Sequence, residues 1–389
     1  MLKKITAIAV SAAIIPGLLP IRANAVEKQT ITLGLKGSFY CQAQEAVDLI
    51  NSYRKEACDE GIKNPSTGKP LTAADYVPIK WDKDLEYIAR IRAAESQLTI
   101  DHTRTDGSSS FTAKAPSGKN TWCETLAWNY SSKEMKYGIE QWYEEKSDYV
   151  NNTGKVTGHY TSLIDPTNVA VGIGFFTSEI GYFPSTTCGE YSSTEPSDSS
   201  NYGDEENTIA KLEFNLDTLS FDISGKTKIA PGGNSNLAVF ASYTNPYGNY
   251  ANGVTYSGLS VEDNISWRSS NESVATVQNG KVSGISEGNA VISAYYGENK
   301  LAEKEISVQE KSLKHVNNVD ICEAQADPNS DGNIDAKDAT AILVDYANRI
   351  ATSSNTLTLE EADANLDENI DAKDATLILV YYANSISNS

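Results

Sequence analysis

The chain has 389 residues, a formal net charge of −20 at neutral pH and a hydrophobic fraction of 40%. This length fits two to four domains, at about 100–200 residues per domain. A strongly acidic chain repels nucleic-acid phosphates, which lysine and arginine normally neutralise, so we expect no nucleic-acid partner. Residues 319–389 contain 14 acidic and 3 basic residues and therefore carry a net charge of −11, more than half of the total.

The N-terminus has the pattern of a secretory signal peptide. Two lysines precede an apolar run, Ile5 to Ile21, and Ala23-Asn24-Ala25 fits a cleavage site. We expect residues 1–25 to be removed, so that a mature chain beginning at Val26 is secreted to the extracellular space. The apolar run is short for a bilayer span, and we expect no membrane span in the mature chain.

Five cysteines are present, and this odd number excludes complete pairing within one chain. Export would permit disulfides, but the cysteine spacings match no zinc motif and single out no pair. No specific bridge is predicted. The cysteines are Cys41, Cys58, Cys123, Cys188 and Cys322.

Residues 38–189 have the pattern of an α+β domain, after a polar lead that reaches about residue 40. Apolar residues at steps of three and four predict helices in AQEAVDLINSYRKEACDEG, WDKDLEYIARIRAAESQL and KEMKYGIEQWYEEKSDYV. The run VAVGIGFF and the stretch 181–184 predict strands.

Three motifs in this domain contain residues suited to a polar cleft. DHTRTDGSS contains His102, CETLAWNY contains Glu124, and TGHYTSLIDPTNVAVGIGF contains His159. Together with the preceding RAAE helix, their order resembles the CAP superfamily of cysteine-rich secretory, antigen 5 and pathogenesis-related proteins, whose bacterial members are called SCP-like. The resemblance implies an α-β-α sandwich with a cleft lined by two histidines and two acids. It assigns His102, His159 and Glu124 to this cleft, with Asp106 as the candidate for the second acid.

The chemistry open to this tetrad falls into three classes. Two imidazoles and carboxylates can hold zinc. Alternatively, a carboxylate can orient a histidine as a general base for hydrolysis of a peptide or polysaccharide. The third class is a hydrogen-bonded cluster that only supports the fold, beside a cleft for a peptide, glycan or lipid. The family usually has Gly and Asn around the acid where this chain has Cys123 and Thr125. The sequence alone leaves all three open.

Residues 190–208 are rich in serine and acids and nearly free of aliphatic residues, which is typical of a linker. In 209–309, apolar and polar residues alternate between Gly and Asn turns, and Asn279-Gly280 indicates a hairpin. The run from Trp267 through SSNESVATV to NGKVSGISEGNAVISA resembles a bacterial Ig-like group 2 domain, which implies an all-β sandwich. A second linker is expected at 310–318.

The tail, residues 319–389, contains one segment twice. DPNSDGNIDAKDATAILVDYANRI starts at Asp327 and DANLDENIDAKDATLILVYYANSI starts at Asp363, with 18 of 24 aligned residues identical. Oxygen-bearing residues occupy positions 1, 3, 5, 7, 9 and 12 of both copies, as in a calcium-binding loop. Gly332 permits the sharp turn at position 6, whereas the Cβ of Glu368 makes that turn costlier in copy two. The predicted calcium ligands are Asp327, Asn329, Asp331, Asn333, Asp335 and Asp338, then Asp363, Asn365, Asp367, Asn369, Asp371 and Asp374.

A helix is predicted after each loop, no helix of useful length before it, and position 12 is Asp. This arrangement closely resembles a type I dockerin, a small all-α module with two calcium loop-helix repeats. The resemblance implies docking onto a cohesin module of a scaffoldin, as in the cellulosomes of anaerobic fibre-degrading bacteria. It places partner contacts at loop positions 10 and 11 and on the exiting helices. These contacts are Ala336, Lys337, Leu343, Val344 and Asn348, then Ala372, Lys373, Leu379, Val380 and Asn384.

The sequence therefore predicts a secreted, cellulosome-associated protein with several domains. It would bind two calcium ions in the tail, and zinc is the metal suited to the cleft of the first domain. Dockerins most often carry polysaccharide-degrading enzymes, which favours an enzyme by association only. Whether the first domain catalyses a reaction or only binds a ligand stays open.

Overall fold

The computed structural model describes residues 29–130, 134–352 and 356–387, so the predicted signal peptide lies outside the described residues. The N-terminal unit alternates strands and helices, and the predicted helices are present. The stretch 181–184 precedes the last strand rather than forming it. In order, the elements are β1 (Thr30–Phe39), α1 (Ala43–Asp59), β2 (Lys80–Trp81), α2 (Lys83–Thr99), β3 (Glu124–Asn129), α3 (Lys136–Glu144), α4 (Lys146–Asn151), α5 (Gly158–Ile164), β4 (Ala170–Thr177) and β5 (Ser185–Ser192).

The N-terminal unit has three layers around β4. This strand pairs with β5, and β5 pairs with β3, both antiparallel. Val171, Ile173 and Phe175 point from β4 towards α1, α3 and α5. On the opposite face, a Cβ at Gly172 or Gly174 would collide with the backbone of α2, so glycine lets that helix lie directly on the sheet. The expected α-β-α architecture is confirmed.

The segment before residue 40 is a strand, not an irregular lead. Ile31, Leu33 and Leu35 of β1 are buried. Their strand pairs along Thr30–Gly37 with β6 (Glu205–Asn215), which therefore begins inside the stretch whose composition suggests a linker. Local composition indicates how polar a segment is, but it does not reveal a strand's pairing partner when that partner is distant in the chain, as β6 is from β1.

The connection between β5 and β6 packs against α2. The backbone N–H of Tyr202 donates to the carboxylate of Glu86 at 3.2 Å, and the Arg90 guanidinium lies 5.2 Å from the centre of the Tyr202 ring. This part of the stretch 190–208 is therefore held on the surface of the N-terminal unit.

The second unit is a β-sandwich. One sheet has the order β12-β15-β16-β8 and another β13-β14-β9, while β7, β10 and β11 continue the N-terminal sheet through β1. Asn279 and Gly280 connect β13 and β14 with φ values of 50° and 78°, the left-handed pair that a tight hairpin requires. The strands are β7 (Leu219–Ser224), β8 (Lys228–Ile229), β9 (Asn234–Asn236), β10 (Ala238–Thr244), β11 (Thr255–Val261), β12 (Ser266–Ser269), β13 (Ala275–Gln278), β14 (Lys281–Gly284), β15 (Gly288–Tyr296) and β16 (Asn299–Val308).

The tail forms a small helical unit after a hairpin that begins in the stretch 310–318. Its core contains Ala339 and Ile342 from one repeat and Ala375 and Ile378 from the other. The two long helices follow the acidic loops, as predicted, and the helix before the second loop has only four residues. The elements are β17 (Lys314–Val316), β18 (Val319–Ile321), α6 (Ala336–Thr352), α7 (Leu359–Ala362) and α8 (Ala372–Ser387).

Among the described residues, no helix combines the length and the apolar character that crossing a bilayer needs. All five cysteines are free thiols in the structure.

Candidate functional site

His102 is held by Glu124, which opens β3. The Nδ1 atom of His102 lies 2.6 Å from Glu124 Oε1, and Arg92 of α2 donates from Nε to Glu124 Oε2 at 2.6 Å. Burial favours the neutral acid, but Arg92 and His102 outweigh it and hold the pKa of Glu124 at about 2. The ionised Glu124 can only accept a hydrogen bond, so Nδ1 of His102 carries the proton and Nε2 is the basic nitrogen of the neutral ring. The His102 side chain is 57% exposed.

His159 is held in the same way by Glu145, which lies between α3 and α4. Glu145 Oε1 is 2.8 Å from His159 Nδ1, and its Oε2 accepts the backbone N–H groups of His159 at 2.9 Å and Tyr160 at 3.1 Å. Sequence reasoning missed Glu145. It stands in a WYEEK run at the end of a helical pattern, where glutamate normally belongs to a solvated face.

Asp106, the predicted second acid, hydrogen-bonds Ser108 instead of a cleft histidine. Its carboxylate accepts from Ser108 N at 2.8 Å and Ser108 Oγ at 2.6 Å. Its backbone carbonyl accepts from Asn215 of β6. The structure therefore places Glu145, and not Asp106, beside the second histidine. The sequence prediction considered only acids between His102 and Glu124. Glu145, which contacts His159, follows both of them in the chain.

The two histidine–carboxylate pairs are carried by adjoining elements. Cys123, next to Glu124, donates from Sγ to Ser162 Oγ at 3.2 Å, and Ser162 lies one turn after His159 on α5. Burial raises the pKa of Cys123, so it is a protonated thiol and a poor nucleophile. The region can therefore orient imidazoles and move protons, but Cys123 offers it no thiolate.

Behind Glu124 lies a second buried acid. Glu190 of β5 is the direct cross-strand partner of Glu124, and both side chains are buried. Burial and the charge of Glu124 raise the pKa of Glu190 well above its usual range. Glu190 therefore carries a proton, which removes the repulsion between two facing carboxylates.

The thiol of Cys188 completes this buried group. Its Sγ lies 3.8 Å from Glu124 Oε2 and 3.6 Å from Glu190 Oε1. One ligand-type atom from each of the three residues lies within 4.8 Å of the others. The Arg92 guanidinium already supplies positive charge at Glu124, and burial raises the pKa of Cys188 well above its usual range. The group is thus neutralised by Arg92 and protons.

The two acidic loops of the tail have the same hydrogen-bond pattern. In loop one (327–338), Asp331 N and Gly332 N donate to the Asp327 carboxylate at 3.1 Å and 3.0 Å. In loop two (363–374), Asp367 N and Glu368 N donate to Asp363 at 3.0 Å and 3.1 Å. Each loop also ties position 12 to the amide at position 9. The side chains at positions 1 and 12 are buried in both loops.

The predicted partner-binding residues are largely on the surface. The side chains of Lys337 and Lys373 are 70% and 68% exposed, and their Nζ atoms lie 3.1 Å and 3.0 Å from the position-5 aspartates. The exposed apolar members of the set are Leu343, Val344, Leu379 and Val380. Asn384 donates to the carbonyl of Asn317 at 2.7 Å, so this member also contacts the hairpin before the tail.

Comparison with known families gives two matches. Residues 47–192 match the cysteine-rich secretory protein family, CAP, and residues 251–306 match the bacterial Ig-like domain, group 2. The chain carries a CAP domain followed by a bacterial Ig-like domain. The CAP match contains both histidine–carboxylate pairs and the buried acid behind them, and the CAP and Ig-like resemblances inferred from the sequence are confirmed.

Several solved structures are similar to parts of the chain, among them an intimin mutant and BmVAL-1. An intimin mutant from EHEC O157:H7 shares 22% sequence identity with a TM-score of 0.15, and the likeness covers 23% of this chain and 45% of that chain. The chain thus spans less than half the length of that structure. BmVAL-1 shares 17% identity with a TM-score of 0.27, over 42% of this chain and 80% of that chain. No curated protein matches the chain.

Proposed function

We propose that this protein is a secreted component of a cellulosome, and that residues 319–389 are a dockerin that binds calcium and docks onto a cohesin of a scaffoldin. The observation that carries the proposal is the repeated loop pattern. Two segments separated in the chain fold their position-5 and position-6 amides onto the position-1 carboxylate in the same way.

The residues of both loops fit calcium. Calcium prefers carboxylate, amide and carbonyl oxygens, and each loop offers only these at the six ligand positions. Burial and the charge of Asp338 raise the pKa of Asp327 to about 7, and burial raises the pKa of Asp338 to about 6. Carboxylates this close and this buried are stabilised by a cation. Bound calcium would supply that charge, while the loop amides orient the carboxylates.

Cohesin binding by the full chain, measured with and without a calcium chelator, tests the docking proposal. We expect affinity in calcium, loss in chelator, and the same loss in Asp327→Ala/Asp363→Ala with calcium present. The exposed exchange Glu213→Gln is the control. Cohesin binding that is indifferent to chelator would overturn the proposal.

For the CAP domain, we propose a binding site at the two histidines that accepts a metal, with zinc as the fitting ion, beside a peptide, glycan or lipid ligand. The Nδ1 atoms of His102 and His159 are each hydrogen-bonded to a carboxylate, which leaves the Nε2 atom of each ring to act as a metal ligand. A carboxylate behind a metal-binding histidine fixes the tautomer and raises its basicity. Zinc, when bound, would polarise a carbonyl or a water molecule.

Zinc titration of three variants tests this proposal. Glu145→Gln should weaken zinc binding about 10–100-fold, because such supporting carboxylates have effects of this size. Asp106→Asn should leave it unchanged, since Asp106 bonds Ser108 instead. His102→Ala should remove most of the affinity. Equal effects of the Glu145 and Asp106 variants would contradict the assignment of the second acid.

The second candidate function is hydrolysis, with peptide or polysaccharide as substrate. It is favoured by the ionised Glu124, which orients His102 with Nε2 available as a general base. The full chain should be screened on peptide and polysaccharide libraries, with and without zinc. Activity that disappears in His102→Ala and persists in Asp106→Asn would favour the hydrolase.

A further inference from the structure

The two acidic loops have nearly the same sequence but different surroundings. Loop one faces the turn 225–228 of the Ig-like domain. A Cβ at Gly332 would lie 2.8 Å from the carbonyl oxygen of Gly225, so the backbones of the two domains meet at position 6. At the same position of loop two, Glu368 is exposed. Glycine at 332 therefore has a second role, because it lets the Ig-like domain approach.

An ion pair fixes this junction. Lys228, at the end of the same turn, places Nζ 2.5 Å from Glu323 Oε1, and Tyr381 donates its hydroxyl to the same oxygen at 2.8 Å. Glu323 lies four residues before Asp327, the first position of loop one, and Tyr381 belongs to α8. The Ig-like domain is thus connected both to the start of the first repeat and to the last helix.

The turn also brings a lysine to loop one. Lys226 is 5% exposed and lines a groove with Gln325, Ser330 and Glu361. Ser330 occupies position 4 of loop one, so the turn places a largely buried lysine beside this loop.

We propose that Lys226 competes with calcium at loop one, so that ion binding there is coupled to the junction with the Ig-like domain, while loop two binds independently of it. This inference rests on the proposed calcium function. Each loop has its own lysine at position 11, Lys337 or Lys373, at nearly equal distances from position 5, so these two do not distinguish the loops. Of the two loops, it is loop one that supplies described contacts to the turn 225–228, through Gly332 and Ser330. Gly332 favours calcium in loop one, and Lys226 opposes it.

Calcium titrations of full-length single-loop proteins test the proposal. Asp363→Ala leaves loop one as the only complete loop, and Asp327→Ala leaves loop two. Adding Lys226→Met to the first background should tighten calcium binding about tenfold, because it removes a positive charge beside the ion. Adding it to the second background should change nothing. Lys281→Met, an exposed lysine of the same groove, is the matched control and should be silent in both.

The outcomes distinguish failure of the calcium function from failure of the competition by Lys226. If neither single-loop protein binds calcium, the calcium function itself fails. If both single-loop proteins bind calcium but Lys226→Met leaves the affinity of loop one unchanged, Lys226 does not compete with calcium there. The same conclusion follows if Lys226→Met changes both loops equally. Lys226→Gln repeats the test with a polar replacement, and circular dichroism of each protein checks that it is folded.

Discussion

At the scale of single residues, the cross-strand pair Glu124 and Glu190 shows how environment divides two like groups. Arg92 and His102 keep Glu124 ionised, whereas burial beside that charge keeps Glu190 protonated. The unfolded chain would release the Glu190 proton at an ordinary glutamate pKa of about 4.3. The native pKa is raised, so the stabilising contribution is complete below that value and is lost as pH rises towards the native pKa.

Glu190→Gln should remove this loss, because glutamine cannot ionise. At high pH, each unit by which the native pKa exceeds the unfolded pKa lowers the free energy of unfolding of the unmodified protein by about 1.4 kcal/mol. We expect the melting temperature of the variant, relative to the unmodified protein, to rise steadily between about pH 4 and pH 8. Thermal unfolding of the full chain over this range measures it, with the exposed Glu213→Gln as control. Parallel pH profiles for Glu190→Gln and the unmodified protein would show that Glu190 does not hold its proton.

At the scale of elements, loop two contains a strained position. Glu368 has φ 62°, in the left-handed region that costs a non-glycine residue roughly 1–2 kcal/mol. Glu368→Gly should relieve part of this cost and tighten calcium binding a few-fold, after the entropy that glycine loses on ordering. An Asp327→Ala background isolates loop two for the titration. Glu368→Gln separates the effect of charge from that of the backbone, and a glycine variant that binds no tighter than the glutamine variant would contradict the expectation.

Elements with a strong local pattern were predictable from the sequence. Helices α1 and α2, the Asn279-Gly280 hairpin and the helices after both loops follow from periodicity or turn chemistry. Two features depend on distant contacts and were missed. The alternation of Ile31, Leu33 and Leu35 was a strand signal, but its partner β6 begins in a stretch that composition marked as a linker. Glu145 resembles any exposed helical glutamate until His159 is placed beside it.

At the scale of the whole molecule, β1 is the strand on which the domains meet. It pairs with β4 of the CAP domain, with β6 and with β11 of the Ig-like domain, so one sheet runs through both. The Ig-like domain in turn contacts loop one through the turn 225–228. The proposed docking module therefore meets the Ig-like domain at loop one and, through Glu323, is tied to α8 of the second repeat.

The last prediction concerns the proposed cohesin contact. The two repeats present the same residue types at the predicted partner positions, with Lys337 and Lys373 almost equally exposed. A duplicated unit that presents one surface twice should bind its partner in two orientations, related by about 180°. Lysines beside acidic loops should also seek acids on the partner, so association should weaken with salt.

Charge reversal separates two orientations from one. Lys337→Glu or Lys373→Glu alone should weaken cohesin binding only a few-fold in calcium, because the other surface remains, whereas the double variant should weaken it by about 100-fold or more. Lys55→Glu, on the exposed face of α1, matches the change in net charge away from the tail. Surface plasmon resonance at two salt concentrations gives the affinities, and a calcium titration of each variant confirms that its loops still bind. If one single variant abolishes binding and the other has no effect, the partner uses one repeat only.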